Sequence, residues 1–239
     1  MVIRPGFAAL LATLLCAAKP ALGYRPFDST DADVADAGAR EIELSPLSYR
    51  HNDDGAAWIA PALIANYGIT DGLEAVVEGE GAHFSRGGSE VTDIAASLKT
   101  ILREGSLQGA SGWSMAAELS ALLPGVRADD GAGFELTGIA SQAYGWGTVH
   151  FNLGAGQARG GNAAGFFGAI LEGRGSWPVR PVAEVRYDRE FGVDEEVSAL
   201  VGAIWPVNEK LSFDLAFRHA WIDNRPDEQV RAGLTFDLQ

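Results

Sequence analysis

The feature that most constrains this chain is a period-two alternation that returns in segment after segment. In Leu211–Trp221, Leu211, Phe213, Leu215 and Phe217 fall on one face of an extended strand, and Ser212, Asp214, Ala216 and Arg218 on the other. The final segment repeats it, with Val230, Ala232, Leu234, Phe236 and Leu238 against Arg231, Gly233, Thr235 and Asp237. Ala183, Val185 and Tyr187 oppose Glu184, Arg186 and Asp188; Val149, Phe151, Leu153 and Ala155 oppose Thr148, His150, Asn152 and Gly154. Clusters of Gly, Pro, Asn and Asp separate the segments, as turns between strands require.

This pattern predicts strands near 40–50, 57–68, 73–84, 93–103, 113–123, 134–145, 147–157, 166–177, 181–191, 197–206, 211–221 and 230–238, an all-β antiparallel chain of about 12 strands. Connections after the second, sixth, eighth and tenth strands read as tight (ITDG, YGWG, WPVR, PVNEK). Those after odd strands read as longer (SRGGSEVTD, GVRADDGAG, ARGGNAAG, IDNRPDEQ), the asymmetry of a transmembrane barrel with its short turns in the periplasm. Two belts of aromatics are expected: Tyr67, Trp113, Tyr144, Trp146, Trp177 and Trp205 at the turn end, and Trp58, Phe84, Phe134, Phe166, Phe191 and Trp221 at the loop end. One stretch leaves an alternative open. Ile94, Leu98, Ile101 and Leu102, then Met115, Leu119, Leu122 and Leu123, also stand at helical spacing; a helical hairpin there would leave a barrel of 10 strands.

A soluble β-sandwich alternates too, so the less apolar faces decide. They carry small residues beside mixed charges: Glu74, Glu78, Glu80, Glu118, Glu172, Glu184 and Asp214 with Lys99, Arg174, Arg186 and Arg218. That composition suits a narrow lumen where facing strands meet. The expected lumen-lining set is Glu78, Glu80, Lys99, Glu118, Glu172, Arg174, Glu184, Arg186, Asp214 and Arg218, with Arg174, Arg186 and Arg218 reaching carboxylates on neighbouring strands.

Upstream, Arg4, the apolar run from Phe7 to Ala18 and the small residues around Ala21-Leu22-Gly23 form a signal peptide over 1–23, so the mature chain begins near Tyr24. The run is too short for a membrane helix, and Lys19-Pro20 ends it. Cys16, the only cysteine, leaves with it; Leu15 is not the small residue that lipidation needs. Residues 24–39 lack apolar periodicity and read as a polar lead-in to a barrel over 40–239. With 32 acidic against 18 basic residues, nucleic acid is excluded as a partner. Outer-membrane lipids, the barrel-assembly machinery and a small-molecule solute are the expected ones.

Several stretches resemble the family of outer-membrane channel proteins named after the phenol-degradation meta-cleavage pathway: RPFDSTDADVADAGAREIELSP after residue 24, YGITDGLEAVVEG at 67–79, DIAASLK at 93–99 and VGAIWPVNEKLSFDLAFRH at 201–219. The resemblance implies an outer-membrane barrel that carries small, often aromatic or hydrophobic, molecules, and it brings no catalytic residues. The chain departs from outer-membrane habit in ending Phe236-Asp237-Leu238-Gln239 rather than on an aromatic residue.

Chemistry has little foothold. His51, His83, His150 and His219 share no metal-binding spacing, and neither a metal nor a cofactor is expected. A barrel-embedded lipid hydrolase would need Ser and His in hydrogen-bond reach. The nearest candidate is Ser141 on the strand beside His150 and Asn152, and no enzyme activity is expected from it. GAGQARGG and EGRGSW lack the helix and Lys-Ser/Thr of a phosphate loop. The function is then a passive channel, or a structural barrel whose inward charges pair and plug the lumen.

Overall fold

The computed structural model describes residues 24–127 and 131–238. The signal segment 1–23, with Cys16, and the terminal Gln239 lie outside the described residues. The fold is a closed, all-antiparallel barrel of 12 strands in which each strand pairs with its sequence neighbours and the first pairs with the last. In chain order these are β1 Arg40–Asn52, β2 Gly55–Thr70, β3 Leu73–Phe84, β4 Ser89–Arg103, β5 Ser114–Leu122, β6 Gly133–Tyr144, β7 Gly147–Gln157, β8 Ala163–Gly173, β9 Arg180–Glu190, β10 Asp194–Asn208, β11 Leu211–Ile222 and β12 Arg225–Asp237. Closure runs from Glu41 opposite Asp237 to Asn52 opposite Asp227. It satisfies the edge strands that an open sheet would expose.

The alternation sets the faces. Leu98, Leu119, Leu136, Leu153, Val185 and Leu215 are exposed on the outside, whereas Lys99, Thr137, Asn152, Glu184 and Asp214 are buried within. This inverts the polarity of a soluble barrel, and hydrocarbon is the solvent that such an exterior matches. No helix among the described residues is long and apolar enough to cross a membrane. The helical-hairpin alternative is wrong: β4 pairs with β5 from Ala95 opposite Leu122 to Arg103 opposite Met115. Ala95, Ser97 and Lys99 alternate inward there, a period-two pattern that the helical spacing of the leucines had masked.

The loop asymmetry is weaker than expected. Strands run further toward the loop end than the apolar pattern reached, so β4 begins at Ser89 and β12 at Arg225. The β11–β12 connection shrinks to Asp223-Asn224, both at positive φ, as a two-residue hairpin turn demands. The turn end carries one long connection, 104–113, which includes a 3-10 turn at Ser106–Gln108. Tyr67, Tyr144, Trp146 and Trp177 are exposed at the turn end, and Trp58, Phe134, Phe191 and Trp221 at the loop end. A strand of about ten steps between such belts, at roughly 3.4 Å each and tilted near 40°, covers on the order of 26 Å, a hydrocarbon thickness. Phe166 does not belong to the outer belt. Phe167 takes the outward position, so Phe166 points inward over its cross-strand partner Gly154.

Candidate functional site

The lumen is not empty. Residues 24–36, expected only as a lead-in, run inside the barrel and form a floor across its turn-end half. Their backbone groups bond to inward side chains of many strands: Asp28 N donates to Glu184 at 2.8 Å, Ala32 N to Ser141 Oγ at 2.9 Å and Ala35 N to Glu74 at 2.6 Å. Thr30 and Asn152 exchange a pair of bonds. Gln108, carried in by the 3-10 turn, donates to Ala32 O and Asp33. A buried segment without its own secondary structure must satisfy its peptide groups in this way.

Side chains lock the segment. Phe27 packs on an apolar patch of Val182, Leu200, Ile204 and Ala216, a rare apolar area of the inner wall. Arg25 pairs with Asp214 at 3.2 Å. Asp28 takes Arg218 and Arg231, each at 2.6 Å, while Arg186 donates to its carbonyl oxygen. Burial would raise the Asp28 carboxyl, but Arg231, Arg218 and Arg186 outweigh it and hold the group well below the ordinary carboxylate range. Glycines make the room. A Cβ on Gly168 would overlap Ser29 Oγ, and one on Gly233 would overlap the Arg25 guanidinium.

Above this floor a cavity of roughly 720 Å³ opens toward the loop end. Its guanidinium groups, Arg50, Arg186, Arg218 and Arg231 with Arg25 below, come from β1, β9, β11, β12 and the floor. Glu78, Glu80 and Asp93 face them from β3 and β4. Nine carboxylates line the cavity against five arginines, so with all groups ionised it is net negative. Arg186 lies 3.8 Å from the Phe166 ring and bonds Asp188, which fixes it in the wall.

The residues expected in the lumen are distributed as follows. Glu78, Glu80, Arg186 and Arg218 line the cavity. Lys99, Glu118, Glu184 and Asp214 lie beneath it against the floor: Lys99 reaches Thr30 and Asp31, and Glu118 lies 3.2 Å from the Tyr24 hydroxyl. Glu172 is buried and bonds Arg180 at 3.2 Å. Arg174 is a correction. β8 ends at Gly173, so the alternation stops one residue short and Arg174 sits exposed in the 174–179 turn, with Arg180 taking the interior place. The expected wall-to-wall pairing is also revised, because Arg218 meets Glu196 and Asp28, and Asp214 meets Arg25. Two of these three partners, Asp28 and Arg25, come from the floor segment, which strand periodicity could not reveal.

Ser141 Oγ lies 2.8 Å from His150 Nδ1, and His150 Nε2 lies 3.8 Å from Glu172. The connectivity is that of a hydrolytic triad. Ser141 has no exposed surface, however, and Ala32 N occupies its hydroxyl from the lumen side. In this state the trio seats the floor and offers a substrate no approach. Among the described residues no group of His, Cys, Asp and Glu is placed to hold a metal ion.

No family model and no curated protein matches the chain. Solved structures do. It is similar to the KdgM porin (TM-score 0.59, 10% identity, covering 83% of this chain and 99% of that one) and to the NanC porin (TM-score 0.60, 10% identity, the same coverage). A second structure, the KdgM porin in complex with disordered oligogalacturonate, matches with TM-score 0.57 at 8% identity, again over 83% of this chain and 99% of that one. At these identities the likeness establishes the fold, a 12-stranded porin-type barrel.

Proposed function

We propose that this protein is an outer-membrane channel for small solutes, narrowed at its periplasmic half by its own N-terminal segment. The observation that carries the reading is the charged cavity, open toward the loop end and floored by residues 24–36, inside a barrel with an apolar exterior. In this reading residues 1–23 direct export and are removed, the barrel-assembly machinery inserts the chain, and lipid surrounds the outward leucines and valines. The net-negative lining favours small cationic or neutral polar solutes over anions. The resemblance to the phenol-degradation channels adds aromatic molecules as a solute class. Val182, Leu200 and Ile204, now covered by Phe27, are the apolar surface that a small ring would meet when the segment moves.

One observation favours a second reading, a structural barrel with a plugged lumen: the floor segment is bonded to strands around the lumen, from β1 and β3 through β6 to β9, β11 and β12. Single-channel recording separates the two. The channel reading expects measurable conductance that rises on deletion of residues 24–36, with cations preferred. Absence of conductance in both proteins would leave the plugged barrel. A lipid hydrolase finds no support in a serine with no exposed surface.

A further inference from the structure

Where the floor segment starts, it meets a carboxylate cluster with too little positive charge. Tyr24 N lies 3.0 Å from Glu43 Oε1, and Arg25 N donates to Glu43 Oε2 at 2.8 Å. Glu43 has no exposed surface. Asn66 Nδ2 donates to the same Glu43 Oε1 at 2.9 Å and to Glu41 at 3.2 Å. The Tyr24 hydroxyl lies 3.2 Å from both Glu74 and Glu118. Three carboxylates therefore meet Tyr24, and a fourth, Glu41, is joined to them through Asn66. The cations at hand lie elsewhere in the cluster: the Arg25 guanidinium is on Asp214, and Lys99, 4.8 Å from the Tyr24 ring, is paired with Asp31 and also neighbours Glu74 and Glu118, which leaves Glu43 bonded to the neutral donors Tyr24 N, Arg25 N and Asn66 Nδ2. Asn66 Oδ1, in the midst of the cluster on a residue 3% exposed, has no hydrogen-bond partner. Buried carboxylates short of counter-charge are costly, and so is an orphaned buried acceptor.

We infer that the free α-ammonium of Tyr24, released when the Gly23–Tyr24 bond is cut, is the interior counter-charge of this cluster and latches the N-terminal segment in the lumen. The inference rests on the reading of residues 1–23 as a removable signal. A leader-removing protease adds water across that bond, so that Gly23 keeps a carboxylate and the Tyr24 nitrogen gains protons. A peptide N–H offers one proton and no net charge. An ammonium offers three protons and a full positive charge, enough for Glu43, for the unpartnered Asn66 Oδ1 and for a share in Glu41. Processing thereby completes the floor: the residue that becomes the first of the mature chain is the one placed among the acids.

The test uses protein purified from outer membranes in mild detergent. Its N-terminus is determined by mass, and the folded barrel is treated with an amine-acylating reagent at neutral pH, then unfolded and digested. The expected result is a chain that begins at Tyr24 whose α-amine is acylated at least about tenfold more slowly than that of a free peptide of the same first residues, since adjacent carboxylates favour the unreactive protonated form. Heat unfolding should abolish the difference. Glu43→Gln should speed acylation of the folded protein severalfold while heat-modifiable migration shows the barrel intact. Should that variant fail to fold, Asn66→Leu gives the same readout from the acceptor side. A chain that begins elsewhere overturns the inference through the signal reading. A chain that begins at Tyr24 but is acylated at the free-peptide rate overturns the latch alone and leaves the signal reading standing.

Discussion

Asp28→Asn is the substitution that probes the floor most sharply, because it removes one charge and leaves the shape. The backbone bonds of residue 28 to Glu184 and from Arg186 persist. The two charge-assisted contacts at 2.6 Å, from Arg218 and Arg231, lose their anion. Arg218 keeps Glu196, Arg231 keeps the carbonyl of Pro26, and the Asp28 side chain is 22% exposed, so water replaces part of the loss. Charged hydrogen bonds contribute about 1.5 to 3 kcal/mol each; after these compensations the seated segment should lose about 2 kcal/mol relative to the released one, roughly thirtyfold in the equilibrium. In planar bilayers the variant should spend about thirtyfold more time in its higher-conductance state. If it matches the parent while the 24–36 deletion opens the pore, the segment is held by something other than the Asp28 arginines.

Other substitutions address separate parts of the molecule. Gly168→Leu fills the space that Ser29 occupies, so the segment should leave the lumen, with higher conductance and protease cleavage within 24–36 while the barrel stays heat-modifiable. Arg186→Ala removes a cavity cation, so the cation preference measured from the reversal potential in a salt gradient should strengthen; a shift toward anions would refute the charge reading. Ser141→Ala removes the acceptor of Ala32 N and should raise basal conductance modestly without loss of any esterase activity, whereas fluorophosphonate labelling of Ser141 in the parent protein would contradict its structural role. Leu153→Arg places a charge on the outer face at a site 67% exposed, and should destabilise the bilayer-folded barrel by about 2 to 4 kcal/mol in a denaturant titration; a neutral effect would argue against lipid contact there.

The barrel was legible because its determinants are local. Leu211 to Phe217 alternate within one segment, and each strand announces its own faces. The floor was not legible, because its determinants are long-range. Asp28 meets Arg218 and Arg231 from the far end of the chain, and its peptide groups pair with side chains rather than with a periodic neighbour. Arg180 escaped notice because it opens a strand directly after the Trp177-Pro178-Val179 turn, where no alternation precedes it. Phe166 was misplaced because adjacent Phe166 and Phe167 must face opposite ways, and only Gly154 across the sheet decides which turns in. Glu78, Glu80 and Arg186 were readable by face alone, but which of them meet across the cavity depends on which strands closure sets opposite each other.

The location of residues 24–36 is the most direct test of the whole description. Signal removal would leave the chain without cysteine, so a pair can be introduced cleanly: Ala32→Cys with Ser141→Cys, positions whose backbone nitrogen and side-chain oxygen lie 2.9 Å apart in the lumen. Oxidation, or a short bis-thiol reagent, applied to intact outer membranes should link the two in most molecules, close the channel and leave little thiol for a water-soluble maleimide. Two freely reactive thiols with no cross-link would place the segment outside the barrel and contradict the floor described for the lumen.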